Sequence, residues 1–497
     1  MSLVPPARVR ALNPAPVRAG GGYVLYWMTS SRRLEWNFAL DRALEHAREL
    51  RLPLVILEAL RVAYPWASQR FHAFVLDGMR EHRAQAEAAA VAYHPYIEPA
   101  EGAGKGLVAT LAERAAVVVT DDFPAFFLRR MQAAVAPRLG VALEAVDGNG
   151  LLPLAATPGP FTAAYHFRRF LQKTLGEHLV QLPGAEPLTE AGIRESVFPA
   201  DVAARWPAAS EALLALEPSA LAALPVDHRV GRTALRGGGA EARRLLGRFL
   251  DQGLPRYGEE RNHPDAHAAS GLSPWLHWGH ISVHEIFHAV AVRESWSPAR
   301  LGAGASGQRH GWWGMSPSAE SYLDELVTWR ELGYGYCHHV PDHDRYDSLP
   351  VWALETLARH ATDPREAVYT LQEFDRGLTH DPIWNAAQRE LRESGVMQNY
   401  LRMLWGKKIL EWSRHPTAAL EIMIELNNRY ALDGCDPNSY TGIFWVLGRF
   451  DRGWPERPVY GKVRSMSSAS TRRKLRMDAY LKRWGAQGDL GLPPTTP

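Results

Sequence analysis

Cysteine is nearly absent from this chain: Cys337 and Cys435 are the only two in 497 residues. Two thiols cannot build a disulfide framework or a four-thiolate cluster, and such sparing use suits a reducing, cytoplasmic setting. No apolar run approaches the roughly 18 residues that a membrane span needs. Charge of one sign is also missing, since 56 basic residues face 54 acidic ones for a formal net charge of +2. Any surface for a polyanion must therefore come from local asymmetry. The opening stretch "MSLVPPARVRALNPAPVRAGGG" has no apolar core of the signal-peptide kind. Its Pro, Arg and Gly content predicts a disordered leader over residues 1–21.

What remains is the composition of a globular protein, 46% hydrophobic and 22% charged, long enough for several domains. From residue 22 to 148, short apolar runs alternate with helical periodicity. The runs are "YVLYWM" (Tyr23–Met28), "PLVILEAL" (Pro53–Leu60), "AVVVT" (Ala116–Thr120) and "VALEAV" (Val141–Val146), with a weaker one at Tyr93–Ile97. This alternation predicts a parallel, Rossmann-like α/β domain. Residues 149–236 are irregular and Pro-rich, and read as a surface connector with helical pieces around Tyr165–His178. "RGGG" (Arg236–Gly239) breaks the chain before a helix. From 237 to 485 the periodicity is helical throughout, giving an all-α domain. Residues 486–497 read as a disordered tail. No repeat of fixed period is present.

Several motifs could carry chemistry. "HEIFH" (His284–His288) fits the H-E-x-x-H helix signature of zinc hydrolases. No downstream spacing supplies a third ligand, so helix-face histidines are the favoured reading and no metal is expected. "GAGKG" (Gly102–Gly106) lacks the full phosphate-loop spacing and reads as a plain loop. Trp405 and Trp412 lie seven apart on one helix face, with Trp384 one helix earlier. They fit either a packed seam or an electron-hopping chain.

"ELNNRYALDGCDPNSYTGIFW" (Glu425–Trp445) mixes amides and acids with turn residues. It reads as a polar loop or as groups gripping the edge of a heterocycle, with Asn427 and Asp433 the best candidates. Between Arg449 and Arg483, eleven basic residues stand against three acidic ones. With Trp445, Trp454 and Tyr460 interleaved, this stretch suits a phosphate-backbone contact surface.

Taken in order, the motifs resemble the photolyase/cryptochrome family, and within it the class II cyclobutane pyrimidine dimer photolyases. The segments are "YWMTSSRRLEWNFAL", "YGEERNHPDAHAASGLSPWLHWGHIS", "DELVTWREL", "FDRGLTHDPIWNAAQREL", "YLRMLWGKKILEW", "LNNRYALDGCDPNSYTG" and "WPERPVYGKVRSM". They run from about Tyr23 to Tyr480. The resemblance implies an α/β domain joined to a helical domain that binds FAD. It also implies light-driven electron transfer from reduced FAD to a dimer flipped out of UV-damaged DNA. Photolyases are among the general examples of such base flipping. A monomer is expected.

By the same resemblance, Tyr257, Ser270, Gly271, Leu272 and Ser273 match positions at the FAD phosphates and ribityl chain. Arg330, Asn399, Arg402, Asp433 and Asp436 match other cofactor positions, with a pair between Arg402 and Asp433 expected. Asn427 matches the asparagine facing flavin N5. Trp384, Trp405 and Trp412 match the photoreduction chain. Glu325 matches the acid that hydrogen-bonds the dimer, Trp329 and Trp445 the residues that sandwich it, Met403 a pocket wall, and Arg452 a residue where the lesion leaves the duplex.

Three stretches depart from the family pattern. "TSSRR" (Thr29–Arg33) stands for the usual "SRDQR", "RELGYGYC" (Arg330–Cys337) for "RELADNF", and "VDGNGLLPLAATPGP" for an Asn-Ile-Val-Pro-Val run. The first and third fall where an antenna chromophore would sit and leave its presence open. Two other functions compete with repair: a flavin photoreceptor of the same fold, and a zinc hydrolase.

Overall fold

A computed structural model describes residues 4–189 and 194–485. The chain forms two compact units. One comprises the chain up to Pro158 together with Leu171–Gly247 and Leu272–Ala303; the other comprises Gly159–Phe170, Arg248–Gly271 and the chain from Gly304 onward.

The first unit is built on a six-stranded sheet. Its strands are β1 (Val9–Ala11), β2 (Tyr23–Met28), β3 (Leu54–Leu60), β4 (Ala92–Ile97), β5 (Ala115–Asp121) and β6 (Leu143–Val146), in the spatial order β1-β6-β5-β2-β3-β4. All pairings are parallel except that of β1 with β6. Strand β2 shows why both faces are covered. Val24, Tyr26 and Met28 pack into one core with Phe38 and Leu44, while Tyr23, Leu25 and Trp27 pack into another with Leu107 and Leu143. Successive side chains point to opposite faces, so a continuous apolar strand needs a core on each side.

Over its described residues, from Val4 on, the expected disordered leader (1–21) is corrected by β1 and the turn at Pro6–Arg8. Buried Arg8 donates to the carbonyls of Asp147 (3.1 Å), Gly150 (3.0 Å) and Leu151 (2.7 Å). An arginine fork can satisfy several carbonyls at once, which composition alone does not reveal. The surface connector over 149–236 is corrected as well. Leu213, Leu214, Leu216, Leu221 and Leu224 complete a core with Leu60, Val75, Leu76, Met79 and Ile97. The expected disordered tail, 486–497, lies outside the described residues.

The sheet reverses its order between β2 and β5, the place where α/β folds form ligand crevices. There the carboxylate of Asp121 accepts the successive main-chain N–H groups of Thr29 (2.7 Å), Ser30 (2.8 Å) and Ser31 (3.0 Å). A nest of this kind binds anions, and the chain's own carboxylate fills it. Arg32, the next residue of that departing stretch, pairs with buried Glu58 (2.9 Å), which also accepts from His82 (2.8 Å) and Tyr93 (2.6 Å). These partners hold the Glu58 carboxyl down to about 2 against the opposing effect of burial.

The second unit is helical. Its centre holds the helices Pro382–Ser394, Asn399–Trp412, Pro416–Tyr430 and Pro437–Val446. Helix Arg330–His339 packs along Pro437–Val446. Gly333 makes that approach possible: a Cβ there would lie 2.6 Å from Asn438 Oδ1 and 2.8 Å from Thr441 Oγ1. The departure "RELGYGYC" therefore has a packing consequence. Among the described residues, no helix is long and apolar enough to cross a membrane.

Candidate active site

Glu325 and Trp329 sit on one wide π-turn, Asp324–Trp329, inserted between the helices Pro317–Leu323 and Arg330–His339. Such insertions locally re-aim side chains and recur at functional sites. The Glu325 side chain is 32% exposed and pairs with Arg261 at 2.6 Å. Burial pushes its carboxyl above the ordinary range, and the nearby Arg261 guanidinium opposes that push without cancelling it. Neighbouring Asp324 is held by a two-pronged pair with Arg168 at 2.7 and 3.0 Å. Tyr257 is buried beside Arg261 and Tyr322. Burial raises its phenol well above 10.

Tryptophan rings form a continuous buried row. Trp384 and Trp405 stack with centroids 6.4 Å apart and planes 5° from parallel, and Trp412 follows 6.3 Å from Trp384. Each of the first two indole N–H groups is committed. Trp384 donates to the Trp405 carbonyl (3.0 Å), and Trp405 donates to Gln388 Oε1 (2.9 Å). Beyond Trp412 lie His380 at 4.8 Å and Tyr369 at 5.8 Å between ring centroids.

The polar candidates group on neighbouring helices. Arg402 grips Asp433 through two bonds of 3.0 and 3.2 Å. Asn427 is buried and donates to Asn428 Oδ1 (3.1 Å), which also receives the Cys435 N–H (3.0 Å). Asp436 caps helix Pro437–Val446 by accepting from Asn438 N and also accepts from the Tyr334 hydroxyl at 2.8 Å. Arg330 lies over the Tyr334 ring at 4.2 Å. Trp445, Trp329 and Met403 are half-buried, while Asn399 and Arg452 are exposed. Arg452 stacks on Trp454 (5.3 Å), as does Arg464 (4.2 Å).

The stretch around Ser273 divides. Ser270 and Gly271 belong to the helical unit, whereas Leu272 and Ser273 belong to the sheet unit. Leu272 is buried and Ser273 exposed, at the start of a helix only five residues long, Ser273–His277. The "HEIFH" helix, Val283–Arg293, also packs in the sheet unit. His284 rests on Phe38 (5.1 Å), His288 on Trp36 (5.1 Å), and Glu285 lies 3.6 Å from Arg243. Among the described residues, no group of three or more His, Cys, Asp or Glu side chains is arranged to hold a metal.

Sequence reasoning missed three residues: Arg261, Gln388 and Lys407. Arg261 lay inside a quoted motif, but its partner Glu325 is 64 positions away. Gln388 and Lys407 carry no signal that separates them from other polar helix residues.

Comparison with known proteins bears directly on this arrangement. Residues 24–189 match the DNA photolyase family model. A deoxyribodipyrimidine photo-lyase of Methanothermobacter thermautotrophicus is 32% identical over 96% of this chain and 97% of that protein. The chain belongs to the DNA photolyase family. Membership places it among the deoxyribodipyrimidine photo-lyases, which are enzymes. The photo-lyase of Oryza sativa subsp. japonica is 35% identical over 96% of this chain and 90% of its own length. That of Arabidopsis thaliana is 31% identical over 96% and 92%. The crystal structure of a bacterial class III photolyase from Agrobacterium tumefaciens shares the fold, with a TM-score of 0.68 at 21% identity, over 93% of this chain and 86% of that one. In this family member, the expected α/β sheet followed by a helical region is therefore the observed fold.

Proposed function

We propose that this photolyase is a class II enzyme that uses light and FAD to split cyclobutane pyrimidine dimers in DNA. The observation that carries the reading is the buried Trp405–Trp384–Trp412 row, whose 6.4 and 6.3 Å spacings suit stepwise electron transfer. The relatives' shared name supports the substrate class.

The residues present fit the cofactor. The buried carboxamide of Asn427, held by Asn428, offers a polar group for a heterocycle edge. The Arg402–Asp433 pair adds fixed charge beside them. Arg330, Asn399 and Asp436 would complete the polar surround, and Tyr257, Ser270 and Gly271 of the same unit the phosphate end. Bound and reduced, FAD supplies the photoexcitable electron donor, chemistry that no side chain provides.

The chain's own residues perform the other tasks. Trp329 and Trp445, each half-buried, offer ring faces for the two bases of a flipped dimer; stacking of this kind contributes about 1–3 kcal/mol per base. Glu325, its carboxyl raised, holds a proton to higher pH than a free glutamate. It can then donate a hydrogen bond to a dimer carbonyl as negative charge builds there. Arg261 orients that carboxyl and adds positive charge beside it. Met403, half-buried, would form a wall, and the exposed Arg452 would enter the gap in the duplex. The tryptophan row would offer a path for an electron from an external reductant to a bound flavin.

Glu325, Trp329 and Trp445 favour repair over photoreception, because a sensor has no use for a lesion clamp. The test is to irradiate a dimer-containing oligonucleotide with the reduced holoprotein under near-UV or blue light. Loss of dimers is expected; unchanged dimers with reduced FAD bound would refute the reading.

A further inference from the structure

We propose that Lys407 is a positioning residue for Trp445, fixing the indole that the proposed function assigns to the lesion. Lys407 lies in helix Asn399–Trp412, is fully buried, and has no carboxylate partner among the described residues. Its Nζ donates to the main-chain oxygen of Val446 at 2.6 Å and stands 4.7 Å from the centroid of the Trp445 ring. Val446 is the last residue of helix Pro437–Val446; the Phe444 and Trp445 carbonyls accept from Leu447, Gly448 and Arg449, while the Val446 carbonyl accepts from Lys407. An ammonium there satisfies an orphan carbonyl and meets the negative end of the helix dipole. The same ammonium attracts the indole face. One cation thus fixes both the end of the helix and the ring it carries.

The surrounding packing enforces this contact. Gly406 lets the two helices meet: a Cβ there would lie 2.5 Å from Val446 Cγ2 and 3.2 Å from Met423 Sδ. The Tyr460 hydroxyl lies 3.0 Å from the Lys407 carbonyl and 3.2 Å from Glu411, which pairs with Lys408 at 2.5 Å. From the segment after the helix, Asp451 favours the charged lysine, and Arg464, 5.6 Å from the Trp445 centroid, opposes it. Arg449, on that segment, is engaged with Tyr336 and Phe444. From helix Pro416–Tyr430, the uncharged Met423 lies against Gly406, the residue before Lys407. Burial brings the Lys407 ammonium down from 10.5 to about 7. Its charge, and with it the grip on Trp445, therefore changes near neutrality.

The experiment compares wild type, K407R and K407M, each with and without W445F, from pH 6 to 8.5. Acrylamide quenching attributed to Trp445, as the difference from the W445F partner, should rise in wild type as pH passes about 7. It should stay low and flat in K407R, whose charge persists, and high and flat in K407M. Dimer-containing DNA should bind K407M about tenfold more weakly than wild type at pH 6, the scale of losing one buried cation–π and hydrogen-bond contact. K407R should restore binding. Bound flavin content and melting temperature establish that each variant is folded. An unchanged Trp445 quenching signal across the series would overturn the proposal, whether or not the protein repairs dimers. So would equal dimer affinity of K407M and wild type in a protein that repairs. Failure of wild type to repair, with the quenching pattern intact, would remove the functional reading and leave Lys407 as the residue that sets Trp445.

Discussion

Arg261 Nη1 lies 2.6 Å from Glu325 Oε1, joining a residue of the "ERNHP" stretch to the π-turn that also carries Trp329. The pair adjusts one carboxyl in opposite senses: burial raises it and the guanidinium lowers it. If protonated Glu325 is the active form, repair falls as pH rises through its raised value. Removing Arg261 takes away the lowering influence, so R261M should shift that descending limb to higher pH while reducing overall yield. E325Q keeps a donor without titrating and should flatten the limb. E325A should lower repair yield about tenfold, the loss of one donor aimed at developing charge. The pH profile of dimer splitting, at matched light dose, decides among these outcomes.

Photoreduction and repair should separate. W405F interrupts the row at the ring stacked on Trp384. Illuminated oxidised enzyme should then fail to accumulate reduced flavin, while chemically reduced enzyme splits dimers at close to the normal rate. Absorbance at the flavin bands follows the first; chromatography of the oligonucleotide follows the second. Equal loss of both would argue that Trp405 is needed only for packing.

Affinity for DNA should depend steeply on salt. Arg449–Arg483 carries a local excess of eight positive charges in a chain whose overall balance is +2. Each phosphate contact contributes roughly 0.9 to the slope of log K against log salt. R473A should lower the slope by about one contact. R452A should weaken binding to dimer-containing duplex more than to undamaged duplex. Fluorescence anisotropy across a salt series measures both, and a flat response would contradict a phosphate-tracking surface.

Arg8 makes its own prediction. It is buried and donates to three carbonyls around residues 147–151. R8A should destabilise the protein by about 2–3 kcal/mol, the range for hydrogen bonds from a charged group left unmade. Removing residues 1–11 should cost at least as much, because β6 then loses its edge partner. Urea denaturation is the measurement; no change in midpoint would restore the reading of this stretch as a loose leader.

Lys407 should also show in the pH dependence of stability. Its ammonium is lowered in the folded state, so between pH 7 and 10.5 the unfolded chain binds more protons than the folded one. Stability contributed by this group therefore rises with pH across that window and is flat below it. The difference in stability, wild type minus K407M, should grow as pH rises from 7 to 10. Parallel curves would mean that Lys407 does not titrate in that range.

The sequence by itself determined the parts that depend on local pattern. Apolar runs marked β2 to β6 to within a few residues, because a strand covered on both faces must be apolar throughout. Helical periodicity marked the second unit, and ordered motifs pointed to the family. Tertiary structure decided the rest, because it turned on partners far apart in the chain. "VRA" is too short and polar to announce a strand, and only the edge of β6 makes it one. The leucines of 213–224 look like a connector until they close a core with β3 and β4. Glu325 has its carboxyl raised by burial and partly drawn back by an arginine 64 residues away. Lys407 and Lys408 are adjacent in sequence, yet Lys407 is buried against a carbonyl and an indole. Packing fixes which polar groups lose water, and that is a property of the folded chain rather than of any short segment.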